Sequence, residues 1–79
     1  MTWLELDQRL AVWFRRRHGT SEINLPKTLA KLLEETGELA KELNKGRFDT
    51  AREEIADCVF VLTHLARFLG TSLEAECDA

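Results

Sequence analysis

The 79-residue sequence has few of the residues that build disulfide-rich or flexible folds. It holds two cysteines, Cys58 and Cys77, in neither a CxxC pair nor a zinc-finger spacing, which argues against a disulfide scaffold or a structural zinc site. One proline and four glycines, with 44% hydrophobic residues, indicate a globular chain. No apolar run approaches the roughly 20 residues of a membrane span, and no signal peptide precedes Thr2. We therefore expect a soluble cytoplasmic protein without a membrane partner.

Positive charge is also scarce. The net charge of -3 and the isoelectric point near 5.3 argue against a dedicated nucleic-acid binder. The one basic run, Arg15, Arg16 and Arg17, is too short to reverse that balance, and we interpret it as the solvated end of a helix.

Hydrophobic periodicity predicts an all-α fold in one domain, residues 1–79, as an antiparallel bundle of three helices and a short fourth. The first helix is predicted to begin at a capping box at residues 2–5 and to end at His18 and Gly19. The second is predicted to run from Pro26 to a stop at Asn44-Lys45-Gly46. The third is predicted to run from a capping box at residues 50–53 to Gly70, and Ser72 caps the fourth. The short connection after Asn44 predicts an antiparallel hairpin of the second and third helices.

The third helix is apolar around most of its circumference. Its predicted polar strip is narrowed to Arg52, Thr63 and Arg67, so a partner chain is expected to cover the remainder. The sequence thus predicts a homo-oligomer, a dimer or a dimer of dimers, that completes a four-helix-type core. The second helix carries one stripe that is expected to pack inward, made of Leu29, Leu32, Leu33, Thr36, Ala40 and Leu43.

Two acidic clusters are the candidates for chemistry. Glu34, Glu35 and Glu38 lie on the second helix, and Glu54 and Asp57 on the third, at spacings that place the members of each cluster on one face. The first cluster points away from the leucine stripe, as a solvated face would. The second lies within an apolar face, where acids are costly unless they are paired or bind a metal ion.

Carboxylates from both helices, meeting without an interposed lysine, would favour a hard divalent cation. Oxygen donors without His or Cys select Mg²⁺ or Mn²⁺ over zinc. Neither His18 nor His64 follows a glutamate by three residues, which argues against a di-iron bundle. Mg²⁺ held by carboxylates commonly binds substrate phosphates, which indicates phosphate chemistry.

The pattern Glu34-Glu35-x-x-Glu38, fifteen further residues, then Glu54-x-x-Asp57 resembles the signature of the MazG-like all-α nucleoside triphosphate pyrophosphohydrolases. The resemblance implies a helical bundle that dimerises or tetramerises and hydrolyses a nucleoside or deoxynucleoside triphosphate to the monophosphate and pyrophosphate with Mg²⁺. The implied metal ligands are Glu34, Glu35, Glu38, Glu54 and Asp57. Glu35 and Glu38 are the implied catalytic residues, with Glu35 favoured for activating the attacking water.

Two further residues are candidates for substrate binding. Trp13 either packs in the core or stacks on the base, and Lys31 either forms a surface ion pair with Glu35 or binds phosphate. No lysine, arginine or asparagine follows Arg67, a departure from the family pattern. Phosphate contacts then come from elsewhere, the candidates being Lys27, Lys31, Lys45 and Arg47, or activity is weak.

Two alternatives therefore stay open. A phosphoribosyl-ATP pyrophosphohydrolase shares the acidic pattern, although the tryptophan-bearing first helix favours the MazG-like interpretation. A non-catalytic dimerisation or regulatory module with a vestigial Mg²⁺ site is supported by the short, acidic C-terminal segment.

Overall fold

The computed structural model describes residues 1–78, and these form helices without any strand. The helices are α1 (Trp3–His18), α2 (Leu25–Asn44), α3 (Phe48–Phe68) and α4 (Leu73–Cys77). The predicted all-α fold is confirmed. None of these helices is both long enough and apolar enough to cross a membrane.

Side-chain caps fix the beginnings of three helices. The hydroxyl of Thr2 accepts the Glu5 N–H at 3.1 Å, and that of Ser72 accepts the Ala75 N–H at 3.1 Å, as their sequences predict. The Asn24 side chain accepts the Lys27 N–H at 3.1 Å, so α2 begins at Leu25, just before Pro26. Each cap satisfies a backbone donor that the first helical turn leaves unpaired.

The predicted capping box at residues 50–53 is wrong, because α3 begins two residues earlier, at Phe48. Gly46 adopts a left-handed φ of 72°, and its N–H bonds the Leu43 carbonyl at 3.1 Å. The chain then re-enters a helix at once, with the Ala51 N–H donating to the Arg47 carbonyl at 2.9 Å. This tight reversal fixes α2 and α3 as the antiparallel hairpin.

The α2–α3 hairpin is the main packing unit, and α1 and α4 pack against α3 and against each other. The backbones of α1 and α2 do not approach one another within residues 1–78. The structure measures 35 × 27 × 22 Å. The gap between α1 and α2, bridged by residues 19–24, is where the candidate site opens.

The inward face of α2 differs from the predicted leucine stripe. Leu29, Leu33 and Leu43 are 45%, 74% and 50% exposed, whereas Glu35 is only 5% exposed and faces α3. The inward face runs through the half-buried Leu32, the buried Glu35 and the half-buried Leu39, so it shares only Leu32 with the predicted stripe. The expectation that Glu35 lies on a solvated face is therefore wrong.

The polar strip expected on α3 is also wrong at Thr63, which is the most buried side chain of the described chain, at 1% exposure. Its hydroxyl donates to the Val59 carbonyl at 2.8 Å, which satisfies the buried polar group within its own helix. Arg67 is half-buried, and its guanidinium bonds Nδ1 of His64. Of the three residues predicted for the strip, Arg52 is exposed as expected.

Leu10 is the one buried side chain of α1, whereas Trp3 is 48% exposed. Leu10→Ala should therefore lower the free energy of unfolding by about 2–3 kcal/mol, because a buried leucine loses transfer energy and leaves a cavity. Leu4→Ala, at a 56% exposed position of the same helix, should cost less than about 0.5 kcal/mol. Urea denaturation followed by circular dichroism measures both. Equal costs would show that α1 does not dock on α3 through Leu10.

Candidate active site

Glu35 is the central acid of the site. It lies halfway along α2, and the close packing of the hairpin against α3 buries it. Its Oε1 lies 3.0 Å from Nζ of Lys31, one helical turn earlier. Its Oε2 is buried and has no hydrogen-bond partner among the described residues. A buried carboxylate oxygen without a donor is energetically costly unless another group, such as a cation, completes it.

Two further carboxylates converge on Glu35. Glu38 follows on the exposed side of α2, and Glu54 reaches across from α3. One carboxylate oxygen from each of the three lies within 4.8 Å of the others. Oε2 of Glu54 is buried without a hydrogen-bond partner, like that of Glu35. The hairpin thus gathers three acids and leaves two of their oxygens unsatisfied, which suits a divalent cation.

The crowding changes the acidity of Glu54. Removal from water is the largest cause, followed by the neighbouring carboxyl of Glu35 and the charges of Glu38 and Asp57, and together they raise the pKa of Glu54 to about 7. Glu54 is therefore only partly ionised near neutral pH in the metal-free protein.

The cysteine next to the cluster is not suited to bind metal. Cys58 is buried, and desolvation, with the nearby charges of Glu35, Glu54 and Asp57, raises the pKa of its thiol. A thiol held protonated is a poor metal ligand, since the thiolate is the form that binds. The donors offered are therefore carboxylate oxygens, which fit Mg²⁺ or Mn²⁺.

The two other predicted ligands lie outside this group of three. Glu34 is exposed and pairs with Nζ of Lys31 at 3.4 Å. Asp57 is exposed on α3 and lines a cavity next to the cluster, near enough for its charge to raise the pKa of Glu54. Their roles as ligands stay predictions.

The cavity has a volume of about 840 Å³ and is walled by α1, the α1–α2 connection, α2 and α3. Three acids, Glu22, Glu35 and Asp57, line it. Three basic side chains, Arg17, Lys27 and Lys31, also line it. A cavity lined by both carboxylates and cations can receive a ligand that is anionic and metal-bound.

Aromatic rings form another part of the cavity wall. Trp13 of α1 packs edge-on against Phe60 of α3 at a centroid distance of 4.5 Å, and Phe14 packs against His64 at 4.4 Å. The Arg17 guanidinium lies 5.3 Å from the Trp13 ring centroid. Trp13 remains 42% exposed, so part of its ring is free to receive a flat ligand.

His64 is held neutral in this wall. Burial, and then the positive charge of Arg67, lowers its pKa to about 4. Sequence reasoning treated Arg17 as part of a solvated helix end. It did not find that Phe14, Arg17, Phe60 and His64 line one cavity, and their helical spacing carries no signal that separates a cavity wall from ordinary packing.

The raised pKa of Glu54 predicts an unusual pH dependence in metal-free protein. The folded-state pKa of about 7 exceeds the ordinary value of 4.5, so the stability that it contributes is present at low pH and is lost as the pH rises through 7. The melting temperature of Glu54→Gln, relative to the parent protein, should therefore rise between pH 5 and pH 8 in EDTA. The lowered pKa of His64 makes stability rise with pH, which is the opposite direction. Both proteins contain His64, so its contribution cancels when their melting temperatures are compared.

Glu53→Gln is the matched control, since Glu53 is exposed on the neighbouring position of α3. Its melting-temperature difference from the parent should stay nearly constant over the same pH range. A constant difference for Glu54→Gln as well would contradict the acidic environment described for this residue.

Residues 24–78 match the family model of the MazG nucleotide pyrophosphohydrolase domain. The match includes both acidic helices and excludes α1. No curated protein and no solved structure is significantly similar to the chain. The matched segment covers well over half of the sequence and contains the whole α2–α3 hairpin, and the chain belongs to the MazG family.

Proposed function

We propose that this protein hydrolyses nucleoside or deoxynucleoside triphosphates to the monophosphate and pyrophosphate with Mg²⁺. The observation that carries the proposal is the convergence of Glu35, Glu38 and Glu54, with two buried and unsatisfied oxygens, beside a cavity lined with basic and aromatic side chains. Family membership supports a nucleotide pyrophosphohydrolase. Removal of surplus or non-standard nucleotides in the cytoplasm is the proposed biological role.

Glu35, Glu38 and Glu54 are the proposed holders of Mg²⁺, with Mn²⁺ as a close substitute. When bound there, the cation supplies charge neutralisation for the triphosphate and raises the acidity of water. Glu34 and Asp57, one at each margin of the cluster, are proposed as additional ligands. Of the two, Asp57 is the better supported as a metal ligand, because it lines the cavity together with Glu35.

Glu35 is the proposed base. Its carboxylate borders both the acidic cluster and the cavity, so it can accept a proton from a water molecule held beside the substrate. The water oxygen attacks the α-phosphorus, the bond from that phosphorus to the bridging oxygen breaks, and pyrophosphate leaves. Glu38 lies at the exposed edge of the cluster, where we propose that it orients this water.

The aromatic part of the cavity wall is proposed to hold the nucleoside. Trp13 presents a partly free ring on which a base can stack, in line with its exposure and its edge-on support by Phe60. The phosphates then lie toward Lys27, Lys31 and Arg17, which line the same cavity. These cations replace the basic residues that the C-terminal segment lacks.

The test is incubation of the protein with a panel of NTPs, dNTPs and phosphoribosyl-ATP plus Mg²⁺, with pyrophosphate and orthophosphate separated among the products. Pyrophosphate and a monophosphate are expected. Glu38→Gln should reduce the rate by on the order of 100-fold or more, since it removes a carboxylate from the cluster. Glu74→Gln, an exposed acid on α4 outside the site, is the matched control and should leave the rate unchanged.

Each other outcome supports a different interpretation. Product from phosphoribosyl-ATP alone would favour the phosphoribosyl-ATP pyrophosphohydrolase alternative. No product from any nucleotide, while Mg²⁺ still raises the melting temperature, would overturn the catalytic proposal and favour a non-catalytic module with a metal site.

We propose further that the active form is a homo-oligomer, a dimer or a dimer of dimers. Exposed apolar side chains recur along both helices of the hairpin. Those of α2 follow at steps of four, seven and three residues, and those of α3 and its C-terminal cap recur every seven residues: Leu29, Leu33, Ala40, Leu43; Phe48, Ile55, Leu62, Leu69. Such periodic stripes are typical of helices that pack against other helices. A second copy of the hairpin offers the matching surface.

Leu33→Glu tests this assembly. Leu33 is 74% exposed, so the substitution should change the stability of an isolated chain little but place a charge inside the oligomer contact. We expect the molar mass from light scattering after size exclusion to fall to that of one 9.1 kDa chain. Leu4→Glu, at an exposed position of α1, should retain the parent mass. A parent protein that already elutes as a monomer would contradict the proposal.

A further inference from the structure

Lys31 is the one basic side chain in direct contact with the acidic cluster in residues 1–78. Its ammonium lies 3.0 Å from Oε1 of Glu35 and 3.4 Å from Oε1 of Glu34. Glu35 is 7% exposed at its side chain, and Lys31 is 55% exposed. A mobile, solvated cation therefore neutralises a fixed and buried anion.

We propose that Lys31 is an internal competitor for the divalent cation: it occupies Glu35 in the metal-free protein and leaves it when the cation binds. This inference rests on the proposed function, because it concerns the same cluster. It adds a residue that weakens metal binding rather than one that supplies a ligand.

The geometry supports competition. Lys31 engages only Oε1 of Glu35, while Oε2 of Glu35 and Oε2 of Glu54 stay unsatisfied. The ammonium thus offsets part of the negative charge of the cluster without completing it. A divalent cation held by Glu35 would share this carboxylate with the ammonium, and like charges on one carboxylate repel each other.

The ammonium of Lys31 also has a second position available, in the cavity. Its side chain lines the cavity as well as the cluster, and the flexible four-carbon stem lets the ammonium turn away from Glu35 toward the cavity. The ammonium is charged in either position, because the ordinary pKa of a lysine side chain lies well above neutral pH. Displacement would then present a full positive charge to the phosphates of a bound nucleotide, so loading of the cation would prepare the cavity for substrate.

The inference is tested by calorimetric titration of Mn²⁺ into nucleotide-free protein. Lys31→Met keeps the apolar stem and removes the charge, and it should bind Mn²⁺ on the order of tenfold more tightly than the parent. Lys27→Met is the matched control. Lys27 also lines the cavity on α2 but forms no ion pair with any residue from 1 to 78, and its affinity should stay within about twofold of the parent.

A second measurement uses the parent protein and does not depend on the folding of a variant. Acetylation by acetic anhydride, read by mass spectrometry at each lysine, should speed up severalfold at Lys31 relative to Lys27 when Mg²⁺ is added, because the amine loses its contact with Glu35.

The outcomes separate the two proposals. Equal Mn²⁺ affinity of Lys31→Met and the parent, or weaker binding by the variant, would overturn the role of Lys31 and leave the proposed hydrolase intact. An unchanged acetylation ratio in the presence of bound Mg²⁺ would do the same. Absence of cation binding to the parent and to Lys31→Met alike would overturn both.

Discussion

The burial of Glu35 between α2 and α3 is the constraint on which the site depends. The hydration that a carboxylate loses at 5% exposure must be replaced by other contacts, and the ion pair of Lys31 with Oε1 of Glu35 replaces part of it. The other oxygen of Glu35, Oε2, is buried without a hydrogen-bond partner among residues 1–78. The hairpin therefore holds a polar group whose burial its own side chains offset only in part.

The same constraint explains why the packed core is small. Its fully buried apolar side chains include Leu10, Ala51, Cys58, Val61 and Ala66, mostly small residues. Interior positions of the hairpin that leucines would otherwise occupy are given to acids, while several leucines remain exposed on α2. For a chain of this length, such a core supplies little stability by itself. The buried acid and the exposed leucines of α2 together leave the hairpin with less apolar burial than its composition could supply.

The fold could be predicted from the sequence to a greater extent than the site. Periodicity and the caps at Thr2 and Ser72 were enough for the helices, because those signals are local. The inward face of α2 could not be derived, since a leucine stripe and an acidic stripe both run along it and only packing against α3 decides between them. Charge spacing predicted Glu35 and Glu38 on one face of α2 and named Glu54 on α3 as a candidate, and the three carboxylates do lie together. Spacing could not separate these three acids from Glu34 and Asp57, because their exposure and their distances across the two helices depend on packing.

The topology places the acidic cluster and part of the cavity wall on different helices. The α2–α3 hairpin, which lies inside the family match, carries every carboxylate of the cluster. Helix α1 lies outside the match and contributes Trp13, Phe14, Arg17 and His18 to the cavity. Helix α1 packs on α3 and makes no close backbone approach to α2 within residues 1–78, whereas the distances among the acids are set by the α2–α3 hairpin alone. The aromatic part of the cavity wall that α1 supplies is therefore built separately from the acidic cluster.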